Sequence, residues 1–143
     1  MKNIDEVQQE VIEEFAMYDD WMDKYNYLIE LSRDMPVIDT PHKVKDNLIS
    51  GCQSKVWLNA DYREGRIFFT ADSDSIITKG IIALLIRILS GRSPEEIMHA
   101  DLYFIDRIGL RQNLSPTRSN GLLSMVKQMK LYALAFQTKA QGQ

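Results

Sequence analysis

Ile4, Val7, Val11, Ile12 and Phe15 recur at helical spacing, separated by acids and glutamines. Asn3 stands ahead of this run with Glu6 three residues on. In that pairing each side chain satisfies a free backbone N–H of the other, so the pattern predicts a helix of about four turns. A second stripe, Trp21, Tyr25, Leu28 and Leu31, predicts a helix from about Asp20. It stops before Pro36, because proline disfavours helical backbone in the residue preceding it.

From Val37 the period changes. Pro41, Asn47 and Gly51 punctuate the chain, and "HKVKDNLI" alternates loosely, as an extended edge segment does. "SKVWLNADY" and "GRIFFTA" are rich in β-branched and aromatic residues and are joined by "REG", which predicts an antiparallel hairpin with Gly65 supplying the turn conformation. Cys52 then falls in a loop just ahead of the first strand. "DSDSIITKGIIALLIRILSG" reads as a central helix packed on the sheet. Its leading acids and hydroxyls are read as satisfying the first free backbone N–H groups, with Asp72 and Asp74 as caps, and its final glycine as the residue after the C-cap. Gly80 in its middle implies close approach of another element, since glycine there costs about 1 kcal/mol relative to alanine. "SPEEIMHA" carries Ser93 as cap, Pro94 at the first helical position and Glu96 at the third. "SPTRSNGLLSMVKQMKLYALAF" reads as a loop followed by a long amphipathic helix with Leu122, Met125, Val126, Met129 and Leu134 inward. The sum is an α+β fold: a small antiparallel sheet of about three strands against several helices, in one domain over residues 1–143.

Composition agrees with a chain that folds by itself. Hydrophobic residues make up 45% and charged residues 26% of 143, and a chain of that size buries about 70% of the surface its unfolded form exposes. Twenty acids against 17 bases leave a net charge of -3 with no basic stripe, which argues against nucleic acid as a partner. "MKNIDEVQQEVIEEF" lacks the apolar core of a secretory signal, and "GIIALLIRILSG", interrupted by Arg87, is too short to span a bilayer. Cytoplasmic location without membrane attachment is the expectation.

Little in the chain suits side-chain catalysis. One cysteine and two scattered histidines form no metal-ligand pattern, and no glycine-rich phosphate loop follows a strand. The pairs "DD" at 19–20 and "EE" at 95–96 read as helix starts. Cys52 is the exception, and two readings stand beside each other. Lone cysteines commonly fill cores as small hydrophobes. Here, however, Gly51, Gln53 and Ser54 surround the sulfur, a neighbourhood suited to a loop tip. A thiol of ordinary pKa, about 8.5, is a few per cent thiolate at neutral pH, and Lys43, Lys45 or Lys55 would raise that fraction if close. His42 and His99 are the only imidazoles that could pair with it, and a surface or helix-end role suits either better.

"GCQSKVWL", "DSDSIITKG" and "SPTRSNGL", in that order, with "WMDKYNYLIELSRDMP" ahead of them, resemble the SufE family of sulfur acceptors in iron–sulfur cluster assembly. The resemblance runs over nearly the whole chain. It implies a SufE/IscU-like fold and makes Cys52 the persulfide-carrying cysteine. It implies a SufS-like cysteine desulfurase as donor and activation target, and a SufBCD-type scaffold as recipient. Pyridoxal phosphate is expected on the donor, and no cofactor here. Arg118 matches an arginine of the family motif, and Gly51, Gln53, Ser54, Trp57, Asp74 and Arg118 are candidates for the loop and partner contacts. The Cys52 sulfur is expected beneath apolar side chains, with Trp57 and the helix start near Asp74 as neighbours. Lys55 departs from relatives that carry glutamine, which leaves the choice of partner open. Monomer and homodimer both remain open. A cluster-building scaffold would need several cysteines, a thiol hydrolase would need His42 or His99 beside Cys52, and an adaptor acting by binding alone would keep its effect without the thiol.

Overall fold

The most apolar stretch of the sequence becomes the axis of the fold. In the computed structural model, which describes residues 2–141, that axis is helix α3 (Ile76–Leu89). Before it come α1 (Ile4–Ala16), α2 (Trp21–Leu31) and the strands β1 (Val56–Arg63) and β2 (Arg66–Ser73). After it come α4 (Pro94–His99), α5 (Phe104–Arg107), α6 (Leu110–Asn113) and α7 (Pro116–Gln141). Helix α3 packs on α1, α2, β2 and α7, while α4 lies along α7. Ile81, Ile82, Leu85, Ile88 and Leu89 are fully buried on it. At about 1.5–3 kcal/mol each, their burial outweighs the roughly 1 kcal/mol that Gly80 costs the helix. Gly80 is required by contact: a Cβ there would lie 2.3 Å from the Leu28 carbonyl oxygen of α2.

Local signals explain the helix ends. Asn3 and Glu6 form the reciprocal cap of α1, Asp20 caps α2, and Ser93 with Glu96 caps α4 behind Pro94. Gly91, at φ +81°, follows the Ser90 C-cap of α3. The hairpin turns on Glu64 and Gly65, both at positive φ, with Arg63 facing Arg66 across the register. Its inner face, Val56, Leu58, Ile67, Phe69 and Ala71, is buried.

The structure departs from the sequence reading in five places. The sheet has two strands. The segment read as an edge strand instead forms two 3-10 turns, Thr40–His42 and Lys45–Asn47, and its one ladder pairing with the hairpin is an isolated bridge from Leu48 to Trp57. Pro41 lacks the N–H a ladder needs, and the Asn47 side chain donates to the His42 carbonyl, closing a turn in its place. The α3 cap is Ser75, whose hydroxyl accepts from the Thr78 N–H; Asp72 and Asp74 bond elsewhere. Helix α7 begins at Pro116, so Arg118 and Ser119 belong to its first turn. Leu134 is 50% exposed, because the buried stripe runs Leu122, Met125, Met129, Ala133 and leaves it on the outer side; Val126 is partly buried. The short helices α5 and α6 were not foreseen.

Candidate functional site

The Cys52 loop is clamped at its base and lightly seated on α7 at its tip. The Ile49 N–H donates to the Val56 carbonyl at 2.8 Å, closing residues 50–55 into a narrow loop ahead of β1. On its exit side the Lys55 N–H donates to Asp74 Oδ1 at 3.0 Å, and the Ser73 hydroxyl and Asp74 N–H both donate to the Lys55 carbonyl. Asp74 is thus a strap between loop and α3. At the tip, Gly51 takes φ +88° and faces α7 so closely that a Cβ would meet Ser124 Oγ at 2.5 Å. The Cys52 thiol, half-buried, donates weakly to the Gly121 carbonyl at 3.6 Å.

Beside the sulfur lies a cavity of about 520 Å³. The loop lines it with Cys52, Gln53 and Ser54, the start of α3 with Asp74, Ser75, Thr78 and Ile81, and the start of α7 with Thr117, Arg118, Gly121 and Met125. Residues far apart in sequence converge because two helices begin where one loop turns. Arg118 is held from α2: its Nη1 donates to the Tyr25 hydroxyl at 3.1 Å, and the side chain lines the cavity.

Of the residues expected here, Gly51, Gln53, Ser54, Asp74 and Arg118 gather around Cys52. Trp57 does not line the cavity; it sits on the sheet face opposite Leu58, with Lys43 Nζ 4.5 Å above its ring. Neither His42 nor His99 reaches the site. Both are exposed, and His99 Nδ1 lies 3.0 Å from the Glu95 carbonyl of its own helix. Lys43 is drawn to Asp72 at 2.8 Å, with Lys79 on the other carboxylate oxygen. Burial pushes the Asp72 carboxyl up, but these lysines and the Ser73 N–H outweigh it and leave the group below its usual range. For Cys52 burial is the cause that counts, and it pushes the thiol above its ordinary pKa; no lysine offsets it. The resting thiol is therefore protonated and sheltered.

Three participants escaped the sequence reading. Gly121 lies under Cys52, where a Cβ would stand 3.5 Å from the sulfur. Ser124 faces Gly51, and Tyr25 holds Arg118. Glycine in a helix interior is a signal of close approach, and Gly121 carried it. Ser124 and Tyr25 had no local signal. Among the described residues no three His, Cys, Asp or Glu side chains gather as metal ligands, and no helix is long and apolar enough to cross a membrane.

A family model described as SufE, Fe–S metabolism associated domain, matches residues 9–133. The chain belongs to the SufE family. That membership places it in iron–sulfur metabolism. The SufE chain is 39% identical over 134 residues to SufE-like protein 1, chloroplastic/mitochondrial, of Arabidopsis thaliana, covering 93% of this chain and 36% of that one. It therefore spans little more than a third of the plant protein. It is 36% identical over 126 residues to an uncharacterized SufE-like protein of Rhizobium meliloti, covering 85% of this chain and 90% of that one. The solution structure of a hypothetical protein from Thermus thermophilus superposes with a TM-score of 0.76 at 20% identity, over 92% of this chain and 96% of that one. This last likeness bears on the fold, and it agrees with the α+β architecture.

Proposed function

We propose that the chain accepts sulfur on Cys52 from a SufS-like cysteine desulfurase, stimulates that enzyme by doing so, and passes the sulfur to a SufBCD-type iron–sulfur scaffold. The observation that carries this reading is a single thiol at the tip of a base-clamped loop, set against a cavity with room for a second sulfur atom. The reaction needs a nucleophilic thiolate and in-line access; it needs no catalytic triad. The Cys52 thiolate attacks the outer sulfur of the donor's persulfide. A sulfur–sulfur bond forms on Cys52 as the donor's breaks, and the donor's own sulfur leaves as a thiolate that takes up a proton. No external oxidant is required.

The geometry suits a carrier that is quiet when idle. Burial keeps the thiol protonated and shielded from small electrophiles. Lifting the tip away from Gly121 and Ser124 returns the sulfur to water, lowers its pKa toward the ordinary value and makes it attack-competent, so docking and reactivity are coupled. Pyridoxal phosphate resides on the donor, and we place the exchange in the cytoplasm. Cys52→Ser tests the reading: loss of desulfurase stimulation, with an unchanged fold by circular dichroism, is expected. Stimulation equal to that of the parent chain would mean that binding alone activates the enzyme.

A further inference from the structure

Charge is divided unevenly along the chain. Residues 1–34 hold ten acids and three bases, and residues 35–143 hold ten acids and fourteen bases, so a net of -7 faces a net of +4. Part of the acid is used inside the fold, where Glu10 and Glu14 pair with Lys2 and Arg87 and Asp20 caps α2. The rest projects. Met22, Asp23, Asn26 and Glu30 share one exposed arc of α2, opposite the buried Leu28, and Met17 and Asp19 stand exposed at the turn in front of it. Met17 is 75% and Met22 65% exposed.

This arc runs into the rim of the Cys52 cavity. Tyr25, one turn from Met22 on the neighbouring side of α2, carries Arg118, which lines the cavity. On the α3 side of the cavity Ile76 is 51% exposed, next to Ser75 and Asp74 in the cavity wall. Any protein that brings a sulfur within bonding distance of Cys52 must cover this rim.

We propose that the acidic, methionine-bearing face of α2, continued by Ile76, is the docking surface for the sulfur donor, and that the donor meets it with a face of lysines and arginines around an apolar pocket. The proposal rests on the acceptor reading above for the identity of the donor. Methionine adapts its shape to a partner and buries well, which suits Met22 as an anchor. The surrounding carboxylates steer the approach and set orientation.

Docking is measured separately from transfer by titrating the Cys52→Ser chain into a purified SufS-type cysteine desulfurase at low and at physiological salt. Asp19 lies outside α2, and a lysine at Glu30 suits the negative end of the helix, so Asp19→Lys/Glu30→Lys keeps the fold. That double variant is expected to raise Kd at least about tenfold at low salt, with the difference shrinking as salt rises. Met22→Ser is expected to weaken binding at both salts, while Glu95→Lys, on the remote helix α4, changes Kd within about twofold. With Cys52 present, the double variant raises the KM for the chain but keeps maximal stimulation and the thiol alkylation rate.

Unchanged Kd in both α2 variants, an equal shift from Glu95→Lys, or no binding by the parent chain would overturn the proposal. So would salt-sensitive self-association in sedimentation that Asp19→Lys/Glu30→Lys abolishes, because the face would then belong to a second copy. A desulfurase that docks as expected but leaves no sulfur on Cys52 supports the surface and removes the acceptor reading.

Discussion

Replacing Gly51 by alanine adds a methyl group where φ is +88° and where the new Cβ would lie 2.5 Å from Ser124 Oγ. The left-handed backbone alone costs a non-glycine residue about 1–2 kcal/mol. The contact adds more unless Ser124 turns its hydroxyl aside, for a total of about 1–3 kcal/mol. The core does not have to bear this strain. The loop tip meets α7 through Gly51, Cys52 and one weak thiol hydrogen bond, so lifting residues 50–54 relieves it while the rest stays folded. A shift of about 1–3 kcal/mol toward the lifted state multiplies its population roughly 5- to 160-fold. Alkylation of Cys52 by iodoacetamide under native conditions, followed by intact mass, should accelerate by that factor with little change in Tm. The pH profile gives a second readout: burial holds the parent thiol above its ordinary pKa, so Gly51→Ala should move the alkylation midpoint down. Adding Ser124→Ala to Gly51→Ala should slow alkylation by the share due to the contact and keep the share due to backbone strain. If Gly51→Ala alkylated at the parent rate with an unchanged midpoint, the seat on α7 would not be what shelters the sulfur.

Gly80→Ala tests the helix crossing: its Cβ would meet the Leu28 carbonyl oxygen at 2.3 Å, and backbone cannot turn aside. A net loss of about 2 kcal/mol or more is expected in thermal or denaturant unfolding, despite the gain in helix propensity, and an unchanged Tm would contradict the packing. Gly121→Ala should do the opposite, since its Cβ makes an ordinary contact 3.5 Å from Cys52 Sγ while the helix gains up to about 1 kcal/mol. A higher Tm with slower alkylation is the expected pair of results. The Arg87 guanidinium holds the Glu14 carboxyl below its ordinary value of 4.5, and Arg87→Met should cost about 1 kcal/mol at neutral pH, discounted for exposure. Because a depressed carboxyl stabilises above its unfolded pKa and loses that contribution as pH falls through the folded one, the difference from the parent should shrink below pH 4.5 in acid denaturation.

Elements with their own local signals were legible in the sequence. The caps at Asn3 and Ser93, the Glu64–Gly65 turn and the apolar α3 each state their structure within a few residues. Residues 37–48 were harder, because loose alternation there serves 3-10 turns set by Pro41 and Asn47 instead of a ladder. The start of α7 carries its own signal: Ser115 before Pro116 repeats the grammar of Ser93 before Pro94, and the Ser115 hydroxyl accepts from the Arg118 N–H. At the site, Cys52 and its loop neighbours could be named from the sequence. Their seat could not, because Gly121, Ser124 and Tyr25 meet the loop and Arg118 only through tertiary packing.

The proposed function requires Cys52 to receive a sulfur atom. After incubation with a SufS-type cysteine desulfurase, pyridoxal phosphate and free cysteine, mass spectrometry of the peptide that contains Cys52 should show one added sulfur, removed by a reducing thiol and absent from Cys52→Ser. A chain that stimulates the desulfurase yet never carries that sulfur on Cys52 would contradict it.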